Sequence, residues 1–505
     1  MPIDETAAAG RLQAEEYPMG PLPHAINEEH PTCGISFVRA VTALFRSESG
    51  IDPRPTPIRT IRSLLTSSWL NLLLVFVPVM FVARFVQGNP SSKVFAFAFL
   101  GLLPCAKIFG LAMEDLSLRA DENTGRFIRV LGGNSLELIS GIIAIIQCQL
   151  EVLQASIVGS ILINILLVMG CAFFAGGTKY QELGYGSSNA ITFGHILMLG
   201  TIAALLPTIF AASFGGGTGP DLEYTRVSIV KISRAVSVAL LFCYSIFCFF
   251  QLYSHSSLFN RKSNDVTKSK KYEPRAKKTK PVPTAVETVI DTEAGYEEEE
   301  EEPQIRFKVL VVILVLGATL VSALSEYLVS SLSALTDESS LTKQWVGLIL
   351  IPLAGTFARH DLMEAMKYSM QDNLTDSLAL SLGSSVNLSM FIQPILIILA
   401  WILKKNLSLL YDPFETMVMN RWTKPWSILT ISRSLKTLFL SVLVVNLYII
   451  QGKGEFLAGA SLIVLYVLIV RFFFACTSST LTILQAISFW FYTGTHVFSN
   501  LLLTC

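Results

Sequence analysis

Two stretches about 220 residues apart share one design, a cluster of small and polar residues set inside a long apolar run. The first reads GGNSLELI over Gly132 to Ile139 and continues with GSILINILLVMG over Gly159 to Gly170. The second reads AGTFARH over Ala354 to His360 and continues with GSSVNLSMFIQP over Gly383 to Pro394. Gly133 to Gly159 is 26 positions and Gly355 to Gly383 is 28, and an ionisable residue, Glu137 or Arg359, stands four after the leading glycine of each copy. Such groups are costly at membrane depth, so they face a cavity or a partner and mark a transport route. Matched glycine-interrupted segments in two halves of a membrane chain point to a midplane site between structural repeats. Gly133, Gly159, Gly355 and Gly383 would let helices break or approach closely.

Composition places the chain in a membrane. Hydrophobic residues make up 52% and charged ones 15% of the 505, the mean hydropathy is +0.54, and several runs exceed the roughly 20 apolar residues that cross a bilayer. Candidate spans are 69–86, 94–113, 127–148, 154–175, 189–213, 228–252, 306–328, 344–368, 374–403, 437–451 and 455–474, with a weaker candidate near 480–498. The expected fold is an all-α polytopic membrane protein of about eleven transmembrane helices. A polar N-terminal region, 1–68, precedes a leading helix, 69–86; two five-helix repeats follow, 94–252 and 306–475, joined by a linker, 253–304. An odd number of spans per repeat inverts one half relative to the other, as in secondary transporters.

The chain opens MPIDETAAAG, with no apolar stretch of the signal-peptide kind, so a cleavable signal is not expected. Its cysteines show neither metal-ligand nor disulfide spacing and read as packing residues. Loops after spans 2, 4 and 6 carry Arg119, Arg126, Lys179 and the basic run Arg261 to Lys280, whereas those after spans 1, 3, 5 and 7 hold little beyond Lys93, Arg226 and Lys343. The positive-inside rule then puts the N-terminus and the 253–304 linker in the cytosol. That linker joins a basic block to the acidic run Glu297 to Glu302 and reads as solvated and disordered. Membrane lipids are expected partners. Nucleic acid is not, although the balance of 38 basic and 38 acidic residues by itself says nothing about such a partner.

At these residues the chain resembles the vacuolar-type calcium/proton antiporters of the cation/calcium exchanger superfamily. The family's first signature, Gly-Asn-Ala-Thr/Val-Glu-Leu-Ile, is similar to Gly133 through Ile139, and its Gly-Ser-Ile-Leu-Ser-Asn run is similar to Gly159 through Asn164, with Ile163 where the family has serine. Other segments resemble the family in the same order: NLLLVFVP from Asn71, MEDLSLR from Met113, CAFFAGG from Cys171, SEYLV from Ser325, GLILIPLAG from Gly347 and NLSLLYDPFE from Asn406. The second signature departs. Where the family has Gly-Asn-Ala-Ala-Glu-His, this chain has Gly355, Thr356, Phe357, Ala358, Arg359 and His360, and Asn387 stands in place of a glutamine. Residues 420–437 look like an insertion, and the tail 476–505 resembles nothing in the family.

The resemblance implies an antiporter that moves calcium, or another cation, into the vacuole lumen in exchange for protons, with no cofactor. Calcium takes 6–8 oxygen ligands. Glu137, Asn134, Asn164, Ser160, Ser384, Ser385 and Asn387 could supply them, with Glu137 as the direct carboxylate ligand. A carboxylate held out of water can also carry a proton in one half-cycle, so one residue type serves both substrates. Arg359 opposes this. Two unit charges about 4 Å apart at an effective dielectric near 20 interact by roughly 4 kcal/mol, close to three decades of binding constant. Arg359 could pair with Glu137 and hold the cavity shut, which favours the alternative of a transport-deficient member with a regulatory role.

Asp361 lies two positions beyond Arg359, about 200° around a continuous helix, so it is not expected to stand in for the missing acid. Glu364 is a weak substitute. Glu114 and Glu326, at the ends of spans 2 and 7, are candidate gates; His360 is a candidate proton relay, and His195 reads as structural. A membrane-bound enzyme finds no paired catalytic constellation.

Overall fold

A computed structural model of the protein describes residues 68–87, 90–120, 125, 128–129, 132–214, 220–255, 269–271, 305–339, 341–409 and 433–477. The helices are α1 (Trp69–Val86), α2 (Ser92–Ser117), α3 (Ser135–Ile146), α4 (Leu150–Lys179), α5 (Ser187–Phe214) and α6 (Pro220–Phe249) in the first half. The second half holds α7 (Phe307–Glu338), α8 (Lys343–Arg359), α9 (Asp361–Met370), α10 (Leu374–Ile402), α11 (Arg433–Ile450) and α12 (Phe456–Thr477). Helices suit these runs because each satisfies its own backbone polar groups where no water is present. Side-chain caps start four of them: Ser68 accepts from the Leu70 N–H ahead of α1, Ser91 from Val94 in α2, Thr342 from Trp345 in α8, and Asn373 from Asp376 in α10.

Eight helices among the described residues are long and apolar enough to cross a membrane, or nine when α8 and α9 count as one bent span. The other two expected spans correspond to shorter apolar helices, Ser135–Ile146 and Ser434–Ile450. Length and composition therefore do not establish the count of eleven. The candidate near 480–498, most of the 420–437 insertion and nearly all of the 476–505 tail lie outside the described residues.

Burial sorts the bundle into a centre and a rim. Leu150–Lys179 is 83% buried over its apolar window, against 22% for Trp69–Val86 and 28% for Phe456–Phe474. The rim turns large apolar side chains outward, Phe85 and Leu457 among them, as a lipid-facing surface does. Lipid offers no hydrophobic drive for helices to associate, so close contact depends on small residues. Gly159 of α4 supplies one: a Cβ there would lie 1.9 Å from the Leu348 carbonyl oxygen and 2.8 Å from Pro352 Cγ of α8. Gly133 differs, since a Cβ would meet nothing within 4 Å; its expected role in close approach is not needed.

Helices α4, α8 and α10 each widen into a π turn, over Ile163–Val168, Val346–Leu350 and Leu388–Ile392. Two of these lead into Pro352 and Pro394, whose rings clash with the carbonyl four residues back and offer it no N–H, so the helix opens ahead of each. Nothing in the sequence explains the turn in α4. It carries Asn164 at a place where wide turns often mark a functional site.

The expected continuous span 344–368 is overturned. His360 adopts a left-handed backbone (φ 63°, ψ 12°), ends α8 at Arg359 and restarts the chain as α9, with a bend of 55°.

Three short strands depart from a purely helical picture. Strand β1 (Tyr180–Gly184) pairs antiparallel with β2 (Lys270–Lys271) on one side and β3 (Lys453–Gly454) on the other. Lys270 and Lys271 belong to the linker read as disordered, so at this point the reading is corrected: backbone pairing, a 2.8 Å bond from the Gly184 N–H to the Ser269 hydroxyl, and adjacent acidic Glu182 hold it. The rest of the linker, apart from 253–255, lies outside the described residues. Further anchoring joins the halves where α7 begins. Buried Asp115 accepts from Arg119 at 3.0 Å and from the Ile305 N–H at 3.1 Å, while Arg119 donates to the Ile305 carbonyl. Arg119 is thus a buried structural cation as well as a loop charge.

Candidate functional site

Glu137 sits in the first turn of α3, just after Asn134 at the cap position, and both are buried. Arg359 sits in the last turn of α8. Each charge lies at the helix end whose partial charge is opposite to its own, which favours both. The structure brings the two together across 222 residues of sequence: Arg359 Nη1 donates to Glu137 Oε1, with both side chains more than nine-tenths buried. Gly355 lies beside the pair, but a Cβ there would be 3.4 Å from Glu137 Oε1, an ordinary contact, so the pair does not require the glycine. The ion pair that the sequence reading allowed is present in this geometry.

The reading of Asp361 does not. Because His360 breaks the helix, the 200° offset never applies; Asp361 opens α9, is buried, and accepts from Arg359 Nε at 2.8 Å. One guanidinium therefore bridges two carboxylates from two helices. Glu364, one turn on, accepts from the Tyr368 hydroxyl at 2.7 Å and stays off Arg359.

A second cation completes the cluster. Lys107 of α2, buried, places Nζ 2.5 Å from His360 Nε2, while His360 Nδ1 lies 3.1 Å from the Phe357 carbonyl. This arrangement suits a neutral imidazole with its proton on Nδ1, donating to the carbonyl, and with Nε2 accepting from lysine. Lys107 escaped the sequence reading because it stands alone in an apolar run with no motif around it.

Several site atoms have no protein partner. Asn134 Oδ1, Glu137 Oε2, Ser160 Oγ, Asn164 Nδ2 and Arg359 Nη2 are buried without a hydrogen bond among the described residues. Two of the three remaining expected ligands are engaged: Ser385 donates to the Ser381 carbonyl, and the Asn387 carbonyl oxygen accepts from the Tyr244 hydroxyl at 2.9 Å. Thr356 donates to the Pro352 carbonyl at 3.1 Å, and Ser384 is half-buried on α10. Of the two candidate gates, Glu114 is half-buried near the end of α2 whereas Glu326 is exposed on α7. His195 is exposed on α5.

A model of the family described as "Sodium/calcium exchanger protein" matches residues 91–253 and again 309–475, about two thirds of the chain. The chain belongs to the sodium/calcium exchanger family. Each match covers one of the two halves that carry Glu137 and Arg359. This exchanger is 31% identical to the vacuolar calcium ion transporter of Cryptococcus neoformans, over 90% of this chain and 79% of that protein. It is 30% identical to the vacuolar calcium ion transporter of Schizosaccharomyces pombe, over 82% and 86%, and 30% identical to the Ca(2+)/H(+) antiporter of Synechocystis, over 80% and 96%. Among solved structures it resembles native YfkE with a TM-score of 0.58 at 20% identity, over 80% of this chain and 99% of that one. That likeness shows the exchanger fold.

Proposed function

We propose that this exchanger moves calcium into the vacuole lumen in exchange for protons, as an integral protein of the vacuolar membrane and not as an enzyme. One observation carries the reading: a carboxylate, Glu137, buried at the meeting point of two helix breaks, in a chain whose relatives are named as vacuolar calcium transporters and calcium/proton antiporters. Two family matches, one per half, support two repeats, and an odd number of spans in each supports inverted orientation and alternating access. Glu137 serves both substrates in turn, binding the cation on one side and a proton on the other. Asn134 and Ser160 are the neutral oxygens most available to complete the shell, since their buried atoms have no partner among the described residues. The ion pair on Arg359 is the feature that favours the alternative, a transport-deficient regulatory member; the relatives' names lend it nothing.

Calcium-45 uptake by sealed vesicles with and without an imposed proton gradient tests the proposal. Uptake driven by the gradient, and lost by at least a hundredfold in Glu137→Gln, is the expected result. Uptake unchanged by that substitution would put the site elsewhere. Sidedness is tested by a protease tag near Asn264: cleavage outside sealed vacuoles supports a cytosolic linker, and protection reverses the direction of transport.

A further inference from the structure

The cluster around Arg359 holds a carboxylate that neither signature supplies. Asp361 is 6% exposed, opens a helix of its own, and shares the Arg359 guanidinium with Glu137. Both acids lie in the first turns of their helices, α3 and α9, where the backbone N–H ends face negative charge. Glu137 Oε2, on the same carboxylate that touches Arg359, is buried and has no partner among the described residues; neither has Arg359 Nη2. Buried polar atoms left without partners in a native protein ask for an explanation, and an absent ion is one. Here the guanidinium already shows that the cradle accepts a cation. A divalent ion in its place would meet two carboxylates, with amide and hydroxyl oxygens of Asn134 and Ser160 among the remaining candidates.

We propose that Asp361, turned back toward Glu137 by the left-handed backbone of His360, is the second carboxylate of the cation site, and that Arg359 is a tethered cation the cargo must displace. This rests on the exchange reading above and names what that reading lacked, an acid in the second half. Counting the groups in direct ion-pair contact, two carboxylates against one guanidinium give the cradle one net negative charge; with Arg359 withdrawn they give two, matched to a divalent ion, while Lys107 is held on His360. A tethered competitor sits at high effective concentration, so the site of the native chain binds weakly until Arg359 leaves.

Equilibrium binding of calcium-45 to the full chain purified in detergent tests this without requiring transport. Arg359→Gln should tighten binding at least tenfold, and adding Asp361→Asn should cancel that gain. In Arg359→Ala, methylguanidinium should compete with calcium; in Arg359→Ala with Asp361→Asn it should not. Equal calcium affinity with and without Asp361 in the Arg359→Gln background overturns the proposal, as does a failure of Arg359→Gln to tighten binding. Should the Arg359 variants fail to fold, Asp361→Asn and Asp361→Glu in the native chain decide: loss only with the first supports a ligand role, and unchanged binding in both overturns it. Vesicle uptake separates the two readings. Asp361-dependent binding without proton-driven uptake leaves the cradle and removes the exchange, whereas proton-driven uptake indifferent to Asp361 leaves the exchange and removes the cradle.

Discussion

The two halves place their chain breaks on opposite sides of the charged residue. In the first, the break at Asn134 comes before Glu137, so the acid enters a new helix at its N-terminal end. In the second, the break at His360 comes after Arg359, so the base closes a helix at its C-terminal end and Asp361 opens the next. Opposite charges have thus been matched to opposite helix ends. The lesson is that the charge of a repeat signature cannot be judged apart from where the backbone turns: one left-handed residue moves an acid from the far side of a helix into the site.

The largest effect should come from making the halves alike. Arg359→Glu with Thr356→Asn should raise calcium uptake by at least about a hundredfold, since removing a repulsion of roughly 4 kcal/mol alone is worth close to three decades of binding constant. Uptake lowered by this pair of substitutions would break the correspondence between Glu137 and Arg359.

Next come the glycines. Gly159→Ala should destabilise the protein by about 3 kcal/mol, because its Cβ would lie 1.9 Å from a backbone oxygen. Gly133→Ala, with open space around it, should stay within about 0.5 kcal/mol in thermal melts.

Third, the left-handed turn itself can be isolated. His360→Gly and His360→Ala both lose the imidazole, so their difference reports the backbone alone. Glycine should be the more stable by about 1 kcal/mol, the reverse of their order inside a helix. Alanine melting above glycine would mean that α8 and α9 do not need the bend.

The smallest effect belongs to the exposed strand pair, where Lys453 donates to Glu182 at 2.7 Å. That hydrogen bond and the accompanying charge hold the Glu182 carboxyl below its usual range and the Lys453 ammonium above its own. Glu182's contribution is present above the ordinary carboxylate pKa and is lost as pH falls through the lowered value; Lys453's is present below the ordinary lysine pKa and is lost as pH rises through the raised one. The protection of the Tyr180–Gly184 amides, their exchange rate taken relative to the intrinsic rate at each pH, should therefore be level across neutral pH and fall only in acid or strong alkali. A loss of protection between pH 6 and 8, roughly, would assign the strand's hold to another group.

Much of this was legible in the sequence. Long apolar runs announce spanning helices, and the near-equal spacing of the two clusters correctly predicted that Glu137 and Arg359 meet. Asp361 was misplaced because the wheel was drawn through His360, and a histidine, unlike a glycine, gives no cue that it will take a positive φ. Lys107 was missed because a lone lysine in an apolar span has no spacing to read. The sheet was missed because two-residue strands are too short to carry an alternating pattern.

The contact of Gly159 with Leu348 also sets a lever. Where glycine lets backbone rest on backbone, with Pro352 packed beside it, α4 and α8 cannot move closer, and the contact is a natural pivot. Arg359 stands eleven residues beyond Leu348, about 16 Å along the helix. A turn of about 10° at the contact would carry its guanidinium about 3 Å, farther than a hydrogen bond can stretch. By lever arm alone, a pivot at that contact would be enough to part Arg359 from Glu137 and uncover the carboxylate.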